Sequence, residues 1–317
     1  MKAKKRLRAW PVVYGILLTA YAVFTLLDAF VIPRDVVAPE QANDGSEIHA
    51  ESSEHPAVEP EPSSSENDET AKPIVTERSY TSDKISITIS ELERHDTRVY
   101  AADVILSDPS YLKTGLAEGA FGRNVRDTTS SIAEENGAIL AVNGDYYGFR
   151  DRGFVLRNGY LYRETPQKGS GQEDLVIYAD GRLEIVDEAS VDASKLAEAG
   201  AVQIFSFGPG LVRDGEITVA KGFEVEQAMR SNPRTAIGEI APLHYLFVVS
   251  DGRTEESAGL TLHELAGVMQ ELGCRTAYNL DGGGSSTMWF MGEIVNHPTD
   301  GRRDGERRVS DIVYIGE

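Results

Sequence analysis

From residue 74 onward, apolar and polar positions recur with two different periods, and together they predict a chain that mixes strands and helices. Ile85, Ile87 and Ile89 alternate with polar residues, as a half-buried strand requires, and residues 97–106 read as a second strand. Residues 128–135 suit a short helix closed by Asn136 and Gly137, and the apolar run 138–142 follows it. Short strand pairs joined at Asn158-Gly159, Asp180-Gly181 and Asp214-Gly215 predict hairpins. Farther along, residues 246–250 form a buried strand, 261–272 a helix and 275–280 another strand. The helix has a capping box in Thr261 and Glu264. Leu262, Leu265, Ala266, Met269 and Leu272 make one apolar stripe, and Gly273 stands where a C-terminal glycine belongs. In a right-handed crossover the flanking strands run parallel, so Asp251 and Asp281 lie past their carboxyl ends on one edge of the sheet. The expected fold class is α+β, a mixed β-sheet with flanking helices and a C-terminal βαβ unit.

The first third of the chain changes character twice. Lys2, Lys4, Lys5, Arg6 and Arg8 precede a largely apolar run over residues 10–32, long enough to cross a bilayer. Basic residues on the amino-terminal side keep that end cytoplasmic and send the rest outward. A cleavable signal peptide is the rival reading, although residues 28–33 offer no small-x-small cleavage site. Residues 33–73 are acidic, rich in Pro and Ser and nearly without large apolar side chains, so they cannot bury enough surface to fold. The expected organisation is a basic segment and transmembrane anchor over 1–32, a disordered acidic linker over 33–73, and one extracytoplasmic domain over 74–317 of a single-pass membrane protein. With 51 acidic against 31 basic residues and a net charge of −20, nucleic acid is excluded as a partner. Cys274, the single cysteine, rules out an internal disulfide and any multi-cysteine metal site.

Two loops carry the candidate chemistry. Asn279, Leu280 and Asp281 lead into Gly282, Gly283 and Gly284 and then Ser285 and Ser286, and three glycines after an acid let backbone approach a ligand closely. The apolar run 138–142 likewise delivers Asn143, Gly144 and Asp145, so its acidic loop is expected to join the others. Familiar alternatives fail. His263-Glu264 lacks the second histidine of a zinc protease helix, Thr287 replaces the final glycine of a nucleophile elbow, and no lysine follows the glycines as in a phosphate-binding loop.

Asn143 to Tyr147, Ser206 to Leu211, Asn232 to Ala236, Val249 to Arg253 and Asn279 to Ser286 occur in the order found in phosphodiester glycosidase domains, which this chain resembles over roughly residues 85–314. The resemblance implies an α+β domain that hydrolyses a sugar from a sugar-1-phosphodiester in envelope glycan or exopolysaccharide. Glycoside hydrolysis passes through an oxocarbenium-like transition state that carboxyl groups assist, and a phosphodiester leaving group chiefly needs charge stabilisation. On that basis Asp145 and Asp281 are the catalytic candidates and Arg234 and Arg253 the phosphate ligands. Asn143, Asn279, Gly282, Gly283 and Ser285 are candidate substrate contacts. Arg307, which best matches the family's motif within the basic cluster Arg302, Arg303, Arg307 and Arg308, is a further one. Asp145, Asp251 and Asp281 also suit tight turns, and Tyr146 and Tyr147 suit either a sugar ring or simple packing. Two alternatives stand beside this reading. One is a non-catalytic wall-glycan-binding domain on a membrane anchor. The other is a Ca²⁺ or Mg²⁺ ion held by Asp145, Asp251 and Asp281 to orient phosphate.

Overall fold

The computed structural model describes residues 10–38, 72–169, 171–224, 231–301 and 303–317. The basic segment 1–9, most of the acidic stretch and Arg302 lie outside the described residues. Helix α1, Trp10–Phe30, leaves Ile16, Leu17, Leu18 and Phe24 exposed. Among the described residues, no helix is long and apolar enough to cross a membrane. Directly after α1, Arg34–Val37 forms a strand antiparallel to Phe121–Arg123, and Asn124 donates to the Ile32 carbonyl at 3.0 Å. The start of the expected linker is therefore paired with the domain.

The α+β expectation holds: the described residues form three larger antiparallel sheets and two two-stranded ones, with few helices. The largest sheet is nine-stranded and includes, as neighbours in space, Gly210–Arg213, Thr276–Asn279, Arg234–Ala241, His244–Ser250, Thr97–Leu106 and Ile85–Arg94. A five-stranded sheet centres on Leu140–Asn143, between Met288–Phe290 and Asp311–Ile315. A second five-stranded sheet carries Val155–Arg157, Ala201–Phe205 and Glu173–Tyr178 side by side. Inward residues of all three, among them Ile87, Phe247, Val142, Val313, Leu175 and Phe205, share one core. Helix α2, Thr129–Glu135, begins at the Thr128 cap and covers the Leu140–Asn143 sheet through Ile132 and Ala133. Helix α3, Ala193–Glu198, capped by Asp192, packs beside Ala201–Phe205.

The predicted crossover is present with one strand inserted. Helix α4, Leu262–Glu271, has both halves of the capping box, and its Leu262, Leu265, Ala266 and Met269 stripe packs on Ala101, Ala236 and Val248. Arg234–Ala241 lies between His244–Ser250 and Thr276–Asn279 and is antiparallel to both, so the two outer strands are parallel without touching. The middle strand aligns Arg234 with Ser250 and Ala236 with Asn279, which brings both carboxyl ends to the same edge. Gly238 permits the close fit of helix to sheet. A Cβ there would stand 2.6 Å from Cys274 Sγ and 2.9 Å from Met269 Cε. Cys274 is the buried free thiol its position suggests, with its pKa pushed up to about 12 by burial.

Candidate active site

The loops after Asn143 and Asn279 meet. Asn143 Nδ2 donates to the Asp281 carbonyl at 2.7 Å, and the Asp281 amide donates to the Gly144 carbonyl at 3.1 Å. Asn143 Oδ1 accepts from Thr235 Oγ1 at 2.8 Å and from the Thr287 amide at 3.3 Å, so this fully buried amide ties two sheets together. Its role is structural, and it is not placed to touch a sugar. Asn279 likewise turns inward. Its Nδ2 holds the Gly208 carbonyl at 2.7 Å and thereby fastens the Ser206–Gly210 turn to the same edge.

The two aspartates differ sharply in environment. Asp145 is buried and fully partnered. Its Oδ2 accepts from Arg157 Nη2 at 2.9 Å and from the Ser206 amide at 3.2 Å, and Oδ1 accepts from the Tyr147 amide at 2.8 Å. Arg157 continues to Asp311, Nε to Oδ2 at 2.7 Å, and Asp311 Oδ1 returns to the Asp145 amide at 3.1 Å. The guanidinium also lies over the Phe205 ring at 4.0 Å and donates to the Leu156 and Ile204 carbonyls. Burial alone would lower the Arg157 pKa, but the two carboxylates outweigh it and hold the charge. Burial pushes Asp311 upward, with Arg157 opposing. This closed Asp–Arg–Asp unit reads as a device that fixes the site loop, with both Asp145 oxygens engaged inside it.

Asp281 reaches the rim. It is 9% exposed, its Oδ2 accepts from Ser285 Oγ at 2.6 Å and its Oδ1 from the Gly282 amide at 2.9 Å. Burial raises its pKa above the ordinary aspartate range, against the Ser285 hydroxyl, the Arg307 charge, the Gly282 N–H and the Arg150 charge. Ser285 thus orients the carboxyl, and the glycines admit arginine. Gly283 has φ +65°, and a Cβ on it would stand 2.8 Å from Arg253 Nη2. At Gly284 a Cβ would stand 2.8 Å from Arg307 Nη2 and 2.6 Å from Asp300 Oδ1. Arg253 is aimed by Asn232 Oδ1, at 2.8 Å from Nη2, and Arg307 by Asp300 Oδ1, at 2.8 and 2.9 Å. Both guanidiniums are only half-buried, and the Arg307 charge favours the ionised form of Asp281.

Arg234 does not join them. It is buried and paired with Glu224 at 2.6 Å, its Nε donates to the Leu260 carbonyl, and its aliphatic stem runs behind Gly282. Its charge serves Glu224 and Leu260, and only its Cα and stem pass close to the glycine loop. Asp251 accepts from the His297 amide at 2.8 Å and is structural, as its turn signature suggested. Among the described residues no three His, Cys, Asp or Glu side chains are grouped to hold a metal ion, and Asp145, Asp251 and Asp281 each have separate partners. Tyr147 is buried in the Arg157 unit, whereas Tyr146 is half-buried and stacked on Phe149. Sequence reasoning passed over Arg157, Asp311 and Arg150. The first two sit in strands whose burial a charge pattern does not reveal, while Arg150, six residues past Gly144 in the site loop, was legible as a basic residue following an aromatic pair.

Residues 136–316, more than half of the chain, match the family described as phosphodiester glycosidase, and the chain belongs to that family. Among its relatives, the SPbeta prophage-derived uncharacterized protein YomE of Bacillus subtilis is 32% identical over 62% of this chain and 30% of its own length. The N-acetylglucosamine-1-phosphodiester alpha-N-acetylglucosaminidase of Bos taurus is 27% identical over 66% of this chain and 42% of its own. The chain therefore spans less than half the length of these curated relatives. The zebrafish N-acetylglucosamine-1-phosphodiester alpha-N-acetylglucosaminidase catalytic domain, a structure described as auto-inhibited by pro-peptide, shares the fold. Its TM-score is 0.58 at 22% identity, covering 74% of this chain and 83% of that one.

Proposed function

We propose that this protein hydrolyses a sugar from a sugar-1-phosphodiester, with Asp281 as the acting carboxylate and Arg253 and Arg307 as ligands of the phosphoryl group. The observation that carries the reading is a buried, hydrogen-bonded carboxylate at the head of a glycine loop whose Gly283 and Gly284 seat two half-buried guanidiniums. Water adds to the anomeric carbon and passes its proton to Asp281. The bond from that carbon to the phosphoryl oxygen breaks, and the phosphate monoester leaves with the electron pair. Such a leaving group is a weak base, so one carboxyl suffices, in keeping with the engagement of Asp145 by Arg157. The growing negative charge on the phosphoryl oxygens is where arginine stabilisation takes effect.

The same reading places the domain outside the cell on a membrane anchor, acting on envelope glycan or exopolysaccharide. Support comes from the apolar run 10–32 in the sequence and the basic residues before it. A glycan-binding domain without turnover is the second reading, favoured by the absence of a second unengaged carboxyl at the Asp145 position. Incubating the full chain with a panel of sugar-1-phosphodiesters and measuring released phosphate monoester decides between them. Turnover that Asp281→Asn lowers by about 10²- to 10⁴-fold supports the enzyme. Saturable glycan binding without turnover by the unmodified chain would establish the binder instead.

A further inference from the structure

We infer that Arg150, a residue outside the glycine loop, is a third phosphoryl ligand that joins Arg253 and Arg307; this rests on the hydrolase reading above. Its guanidinium is held between two rings, 5.5 Å from the Tyr146 centroid and 5.3 Å from that of Phe207. The stack continues outward, with Tyr146 on Phe149 at 4.6 Å and Arg126 over Phe149 at 5.5 Å. Both faces of Tyr146 are therefore taken, which removes it as a sugar platform and makes it a wall for Arg150. The backbone under Arg150 is equally fixed. Arg163 donates to the carbonyls of Arg150 at 2.8 Å, Gly153 at 2.7 Å and Tyr147 at 3.2 Å.

So clamped, Arg150 donates from Nη1 to the Ser206 carbonyl at 3.0 Å and is half-buried. A guanidinium has five N–H donors in a planar fork, so one edge can anchor to Ser206 while the other faces a ligand. The location is the seam of all three site loops. Asp145 binds the Ser206 amide, Asn279 binds Gly208, and Asp281 binds the Gly144 carbonyl. The Arg150 charge also acts on Asp281 directly, favouring its ionised form. Among the described residues Arg150 forms no ion pair, and it is ordered by aromatic faces and one carbonyl. An anion completes that environment, and a phosphodiester beside Asp281 supplies it. Because the phosphoryl group gains charge as the sugar bond breaks, the contact strengthens in the transition state and belongs in kcat as well as KM.

The test compares two substrates bearing one sugar, a sugar-1-phosphodiester and an uncharged aryl glycoside, in the full chain. Arg150→Ala is expected to lower kcat/KM for the phosphodiester by about 10- to 100-fold, the scale of a charge-assisted hydrogen bond. The aryl glycoside should lose less, by a margin of about tenfold or more, because only the effect of the Arg150 charge on Asp281 remains there. Arg150→Lys should recover only part, since a point charge replaces a fork, and added guanidinium should partly restore Arg150→Ala. Phe207→Leu should weaken phosphodiester turnover in the same selective sense. Equal losses on both substrates, or no loss on either, overturn the assignment. Inorganic phosphate binding, followed by ³¹P NMR, keeps the test independent of turnover. If the unmodified chain cleaves neither substrate, the hydrolase reading fails by itself, and Arg150 stands or falls on whether Arg150→Ala weakens phosphate binding by about tenfold or more.

Discussion

Replacing Arg157 by Met separates the scaffold of this site from its chemistry. The substitution removes the cation that, among the described residues, bridges Asp145 and Asp311, whose side chains are 1% and 0% exposed, and leaves an aliphatic chain of similar length against Phe205. Breaking a buried ion pair by deleting one partner typically costs about 3–5 kcal/mol, and here two carboxylates lose it together. Domains of this kind have about 5–15 kcal/mol in total, so the variant should be close to unfolded near neutral pH. Acid should rescue it. Burial already pushes the Asp311 carboxyl above the unfolded value of about 3.9, and removing Arg157 removes what opposes that shift. The folded state then binds a proton that the unfolded state has lost, and stability falls as pH rises, by at most about 1.4 kcal/mol per pH unit for that carboxyl. Urea unfolding at pH 5 and pH 8 measures this. The expected result is a deficit of several kcal/mol at pH 8 that is visibly smaller at pH 5. A loss below about 1 kcal/mol at both values would refute the view of this unit as the brace of the site loop.

Asp281→Asn should abolish most turnover while changing the urea midpoint little, and the unmodified chain should lose activity on its acid limb at a pH above the ordinary aspartate value, because burial raises that carboxyl; a pH–rate profile and a denaturation curve check both halves. Asp174, buried without a hydrogen-bond partner and pushed up to about 9 by burial and by Glu188, carries its proton in the folded state. Its destabilising effect grows as pH rises from about 4 to about 9, so Asp174→Asn should raise the melting temperature more at pH 8 than at pH 4, and an equal shift at both would count against that proton. Thr261→Ala removes the cap of α4 and should cost about 1 kcal/mol in urea unfolding, with no change in substrate preference.

The elements that periodicity defines were readable in advance. The α4 stripe, the capping box and the strands around it follow from local spacing, and so does the shared edge for Asp251 and Asp281. What escaped was partnership across the fold. Asp145 and Arg234 looked like site residues because they sit in the motifs, but Arg157 and Glu224, which engage them, lie where local pattern says nothing about pairing. The strand Arg234–Ala241 was hidden because Gly238 interrupts its β-branched and apolar pattern, and the reason for that glycine is α4 above it. Arg253 and Arg307 were legible as charges near glycines, and their seats on Gly283 and Gly284 are a matter of three-dimensional fit.

The brace of Asp145 by Arg157 and Asp311 has a consequence for synthesis. The bond from the Asp145 amide to Asp311 closes a loop of 166 residues, so the first acidic turn leaves the ribosome long before the last strand that secures it. Contacts this distant in sequence form late. A nascent chain halted before residue 311 would leave Arg157 Nε and the Asp145 amide without their acceptor, and that pairing would be completed when Asp311–Ile315 zips between Leu112–Leu116 and Leu140–Asn143.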